Sequence, residues 1–171
     1  MLRRAPDEIT LKNLSIFLSI SVIVLTVFFL LYLNNQKIYM LEIVNPETGE
    51  LVFSRKVEPY DKFTLESIHS LELSNIINEY QISENYDIQL VSTMFSGHSA
   101  GLPFKTKKGE KFSVDKDGKF KISNRYIQIN KIPLRVQRNY GNVFVYNDLR
   151  INLSEMFNNV LLHIRVRMEN A

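Results

Sequence analysis

The chain has 171 residues, no cysteine, no tryptophan and a formal net charge of +3. That length suits one domain with a short appendage, because single cores commonly fill about 100 to 150 residues. The missing cysteines exclude disulfides, thiolate metal sites and cysteine nucleophiles, and so small a charge, with bases interleaved among acids, argues against a nucleic-acid partner.

The first element in chain order is a run from Leu14 to Leu33, "LSIFLSISVIVLTVFFLLYL", with no charged residue, glycine or proline. As a helix rising about 1.5 Å per residue it covers roughly the 30 Å hydrocarbon core of a bilayer. Its serine and threonine hydroxyls are expected to bond back to the carbonyl four residues earlier, which leaves no hydroxyl stranded in lipid. A cleaved signal peptide has a shorter apolar segment and a small-residue cleavage site, whereas this run ends in "NNQKIYM"; an uncleaved anchor is the expectation. Arg3, Arg4 and Lys12 precede the run and only Lys37 follows closely, so the positive-inside rule predicts a cytoplasmic amino terminus. The predicted organisation is a cytoplasmic tail over 1–13, a transmembrane helix over 14–33 in contact with the lipid bilayer, and an extracytoplasmic domain over 34–171 of a single-pass cell-membrane protein.

Beyond the anchor, short runs rich in β-branched and aromatic residues alternate with turn signals, and no helical period is sustained. This predicts an all-β domain. "KIYMLEIV" and "ELVFSRKV" flank the turn "NPETG", and Phe63 to Ser70 and Ile76 to Ile82 read as an antiparallel pair about a turn near Ser74. "YDIQLVSTMF" puts Tyr86, Ile88, Leu90 and Met94 on one strand face; "KFSV", "KFKIS" and "YIQINKI" follow, with "DKDG" as a turn. "NVFVYNDLRINL" predicts a hairpin about Asn147 and Asp148, then a helical turn at "SEMFNN" capped by Ser154, and a closing strand "VLLHIRVRM". About ten strands in this length imply a sandwich-like or partly open barrel domain. The segment from Lys105 to Arg125 carries eight bases against three acids, which fits a solvated hairpin edge guarded against aggregation or, alternatively, contact with anionic headgroups.

No motif carries a known catalytic or metal-binding signature, so no catalytic residue, metal or cofactor is predicted. His69 and Glu79 would fall opposite each other in the pairing proposed above, close enough for a hydrogen-bonded ion pair. The plainer role for that pair is a polar network fixing strand register. The rival role is that of a hydrolase, with His69 as base, Glu79 as its orienter and Ser70, Ser96 or Ser99 as nucleophile, although Ser70 adjoins His69 and points to the opposite strand face. A metal-dependent enzyme would add His98 to His69 and Glu79. His163 alternates with apolar residues and reads as a partly buried strand histidine. In "SGHSAGLP", Gly97 and Gly101 permit a positive φ and Pro103 fixes the exit, so this loop is either a shaped connection or a cradle of backbone N–H groups.

"FTLESIHSLELSNIINEYQI", "STMFSGHSAGLP" and "IPLRV" together resemble the domain-of-unknown-function family numbered 1850. Its pattern falls on His69, Ser70, Glu79, Tyr80, Phe95, Ala100, Gly101, Leu102, Pro103, Pro133 and Arg135, and departs at Ser99, where the family's first glycine of a Gly-Ala-Gly run would stand. These positions other than Pro133, with Gly97, His98 and Ser99 from the same loop, form the candidate binding set. What the resemblance implies is partnership rather than chemistry: a non-catalytic accessory or ligand-binding module beside a TAXI-type TRAP transporter, touching its permease or its solute receptor.

Overall fold

The computed structural model describes residues 8–34, 37–68, 74–96 and 106–170, with side chains omitted for 8–12 and 30–34. By contacts it divides into two units, one of residues 1–38 with 169–171 and one of residues 39–168.

The first unit is dominated by a helix, α1 (Glu8–Asn34). Over residues 13–29 every side chain is exposed, including Phe17, Leu25 and Phe28. Ser19 Oγ donates to the Ser15 carbonyl at 2.9 Å and Thr26 Oγ1 to the Val22 carbonyl at 2.8 Å, so these hydroxyls are satisfied within the helix as expected. Among the described residues no helix is both long and apolar enough to cross a membrane.

The second unit contains the β structure. Its strands are β1 (Lys37–Val44), β2 (Leu51–Lys56), β3 (Lys62–Ile68), β4 (Asn75–Ile82), β5 (Ile88–Phe95), β6 (Lys111–Val114), β7 (Phe120–Ile129), β8 (Lys131–Val136), β9 (Val143–Tyr146), β10 (Leu149–Asn152) and β11 (Val160–Asn170), with one helical turn, α2 (Leu153–Met156), before the last. They form two antiparallel sheets, of order β2-β1-β11-β8 and β10-β9-β3-β4-β5-β7-β6. The domain is thus an open two-sheet structure rather than a closed barrel.

Alternation explains how the sheets pack. Leu41, Ile43 and Phe53 from one end of the smaller sheet, and Leu162 and Ile164 from β11, join Phe63, Leu65, Tyr80, Ile82, Phe144 and Tyr146 of the larger sheet in one buried cluster. Aromatic contacts tie it together: Phe53 meets Phe144 at 4.9 Å between centroids, and Phe63 meets Tyr80 at 5.0 Å and Phe144 at 5.6 Å. One charge is buried on the other face of β1 from this cluster. Glu42 of β1 is 1% exposed; its Oε1 accepts from Arg167 Nε at 2.8 Å, and its Oε2 accepts from Arg165 Nε at 3.2 Å, both arginines lying on β11. A carboxylate taken out of water persists when charged donors replace its hydration.

Several expectations are corrected. "KFKIS" and "YIQINKI" are not two strands of one kind: β7 runs unbroken from Phe120 to Ile129, with positive φ at Asn124 and Tyr126, and the chain then changes sheets at Asn130 into β8. Met94 does not share a face with Ile88 and Leu90, because the register between β5 and its neighbours slips around Val91. Such a bulge inverts the alternation, so Val91 and Phe95 are buried and Met94 is half-exposed. Ser154 does not cap α2. The residue before that turn is Asn152, without a side-chain cap bond, while Ser154 Oγ accepts from the Asn142 N–H at 2.8 Å and donates to the Gln137 carbonyl at 2.7 Å.

Candidate functional site

Of the candidate binding set, His69, Ser70, Gly97, His98, Ser99, Ala100, Gly101, Leu102 and Pro103 lie outside the described residues. The four that are described do not converge. Tyr80 is buried against Phe63, and removal from water pushes its phenol up to about 12. Phe95 is buried beside Phe120, with 5.6 Å between centroids. Arg135 is exposed on β8, in the other sheet.

Glu79 corrects the expected pairing with His69. β3 and β4 pair with Ile68 opposite Asn75 and Thr64 opposite Glu79, so the carboxylate faces Thr64 rather than the position of His69. An odd shift of register moves a side chain to the other face. Glu79 consequently stands on the outer face, away from Phe63 and Tyr80, where Lys62 Nζ contacts its Oε1 at 2.9 Å and Ser92 Oγ donates to its Oε2 at 2.9 Å. Partial burial pushes its carboxyl up, but the hydrogen bonds from Lys62 and Ser92 and the charges of Lys62 and Lys121 outweigh that effect and hold it below the usual carboxylate range. Both oxygens are engaged and the group is a weakened base, which suits a strut between strands better than an orienter of catalytic histidine.

A second polar chain crosses the same strands on the opposite face. Arg125 donates from Nε to Glu110 Oε1 at 3.2 Å and from Nη1 to Thr93 Oγ1 at 2.8 Å, and Thr93 donates to Asn78 Oδ1 at 2.9 Å. The Lys107 N–H and Arg125 hold the Glu110 carboxyl below its ordinary value despite opposing burial. Its members are mutually satisfied, as buried polar networks must be.

An open site lies on the outer face at the β4–β5 hairpin, in a groove of about 400 Å³. Its floor is a row of amides: Gln81 of β4 is opposite Gln89 of β5, and Gln89 is opposite Gln128 of β7. Direct opposition on three consecutive strands sets neighbouring rungs about 4.8 Å apart along the hydrogen-bonding direction. Tyr60 and Tyr126 flank the row and the turn at residues 83–87 closes one end. Tyr60 is positioned by backbone bonds from its N–H to the Ile82 carbonyl and from the Ile82 N–H to the Asp61 carbonyl, both 2.8 Å. Its hydroxyl donates to Glu84, and Gln128 Nε2 donates to Asp87 Oδ2 at 2.7 Å. That bond to Glu84, with burial second, pushes the Tyr60 phenol up.

None of these groove residues was singled out in the sequence. A signal existed: "YQI", "DIQL" and "YIQI" each set a glutamine between two large apolar or aromatic residues, as strands with a buried and a polar face require. What no single strand carries is the register that aligns the three.

A family model described as Domain of unknown function (DUF1850) matches residues 63–153, which takes in β3 to β10 and the whole amide row. No curated protein and no solved structure matches the chain.

Proposed function

The chain belongs to the family described as Domain of unknown function (DUF1850), and from that premise we propose that it is a membrane-anchored, non-catalytic binding module working beside a TAXI-type TRAP transporter. The observation that carries the binding half of this reading is the open groove on a rigid sheet, with an amide floor and flanking tyrosines. The involvement of Glu79 with Lys62 and Ser92 weighs against the rival, a hydrolase or metal-dependent enzyme using His69 and Glu79.

The anchoring half rests on the charge-free run from Leu14 to Leu33, on the outward-facing apolar side chains of residues 13–29, and on the hydroxyls bonded back within α1. Lipid on all sides removes the cost of such a surface in water. The transporter partnership is what the family resemblance implies, and a shared membrane favours it physically. Confining two proteins to one bilayer raises their effective concentration, so that a small docking surface stays occupied.

Deletion of this gene, with the transporter genes intact, is expected to reduce uptake of the transported solute. A photoreactive residue at position 98 is expected to crosslink to the permease or the solute receptor. Normal uptake together with no crosslink to either component overturns the partnership.

A further inference from the structure

We propose that the groove over Gln81, Gln89 and Gln128 is a carbohydrate site, taking a neutral oligosaccharide with its sugar rings against Tyr60 and Tyr126. This deepens the reading of the domain as a binding module and does not depend on its transporter partnership.

The first observation is chemical complementarity. A pyranose presents hydroxyls that both donate and accept, together with an apolar face of C–H groups. A glutamine amide offers two donors and an acceptor, so a row of amides matches a row of hydroxyls without demanding charge. Rungs about 4.8 Å apart are comparable with the length of one sugar ring. The apolar C–H face needs an aromatic surface with a polar edge, which tyrosine supplies. Tyr60 is 58% exposed and Tyr126 61% exposed, so both rings are available.

The second observation is backbone strain. Tyr60 has φ 73° and Tyr126 φ 44°, in the left-handed region that bulky side chains avoid. A turn before β3 and the irregular stretch of β7 hold these two tyrosines at that cost, at the two flanks of one groove. Strain maintained at a surface position marks a side chain held for contact rather than for packing.

Charge decides the ligand class. The described lining residues include Glu84 and Asp87 and no base, which disfavours an anionic solute or a phosphorylated sugar. A cation would be drawn to the two carboxylates, yet both already accept neutral donors, Tyr60 on Glu84 and Gln128 on Asp87. Each carboxylate keeps acceptor capacity beyond that one bond, which ligand hydroxyls can use.

The test uses the full chain in phospholipid nanodiscs, so that no glucoside or maltoside detergent competes for the groove. With eight tyrosines and no tryptophan, tyrosine emission reports on ring contact directly. Maltotriose and triacetylchitotriose are the probes, and choline is the cationic comparison. At least one trisaccharide should give a saturable change at millimolar concentration or below, weakened tenfold or more in Tyr126→Ala and in Gln89→Ala, and retained in Tyr126→Phe and in Lys116→Ala. Retention in Tyr126→Phe shows that the ring, and not the fold, is what the alanine variant lost. No saturable response to either trisaccharide by about 10 mM, weaker than any affinity worth a few kcal/mol, overturns the proposal. So does an unchanged affinity in both alanine variants, or saturation by choline in place of the sugars. An uptake defect without sugar binding removes only the carbohydrate assignment, whereas sugar binding with normal uptake and no crosslink removes only the transporter partnership.

Discussion

Glu79 shows how one residue's chemistry follows from strand register. Its carboxyl is held below the ordinary 4.5, so the folded state binds this proton less readily than the unfolded chain. The ionised group therefore stabilises the fold above pH 4.5, and that contribution fades as pH falls through the lowered value. Replacing Glu79 with Gln should cost about 1 kcal/mol at pH 7, and urea melts near pH 3 should show the variant and the parent converging. An equal deficit at both pH values would mean that shape rather than charge was lost. The sequence made this carboxylate conspicuous but misplaced its neighbour. Leu71 and Leu73 continue the apolar alternation beyond Ile68, with no glycine or proline to mark where β3 ends. A hairpin's register is set by its turn, and an unmarked turn left two solutions of opposite face.

Secondary structure was the legible level. β1, β2, β6, β9, β10 and β11 start and stop within a residue or two of their sequence signals, because period-2 alternation and turn residues such as those in "NPETG" and "DKDG" act locally. Links between elements were not legible, and Ser154 is the clearest case. A serine before an acidic residue at a helical start reads as a cap, whose loss costs about 1 kcal/mol. Here its hydroxyl instead joins the segment before β9 to α2, taking the Asn142 N–H and serving the Gln137 carbonyl, with 5% of the residue exposed. Ser154→Ala should strand the buried Asn142 N–H, while the Gln137 carbonyl keeps the Tyr140 N–H, and should cost about 1 to 3 kcal/mol. Chemical denaturation measures this directly; a loss under 1 kcal/mol would restore the simpler cap. The same distinction between local and non-local signal explains the groove. Each glutamine is visible in its own strand, and their alignment arises from the turn over 83–87, which sets Gln81 opposite Gln89, and from the pairing of β5 with the end of β7, which sets Gln89 opposite Gln128.

At the level of the whole molecule, the prediction concerns sidedness. Arg3, Arg4 and Lys12 before the apolar run, against Lys37 alone closely after it, favour the β domain outside the cytoplasm. A carboxy-terminal reporter active only outside the cytoplasm should be active, and protease added to intact cells should remove the domain; protection until lysis would reverse the orientation. With α1 held in a bilayer as proposed, such a placement would expose the domain to tension, since anything that grips it would pull against that helix. The load enters through β1, a strand bonded on one flank by β2 and on the other by β11, with Glu42 clipped to two arginines of β11. Sliding that strand out requires many bonds to fail at once, the charge-assisted pair among them. A border strand such as β6 or β10 is held along one side and can peel rung by rung. Under tension the attachment point is therefore mechanically firm, and the sheet borders are where the domain yields first.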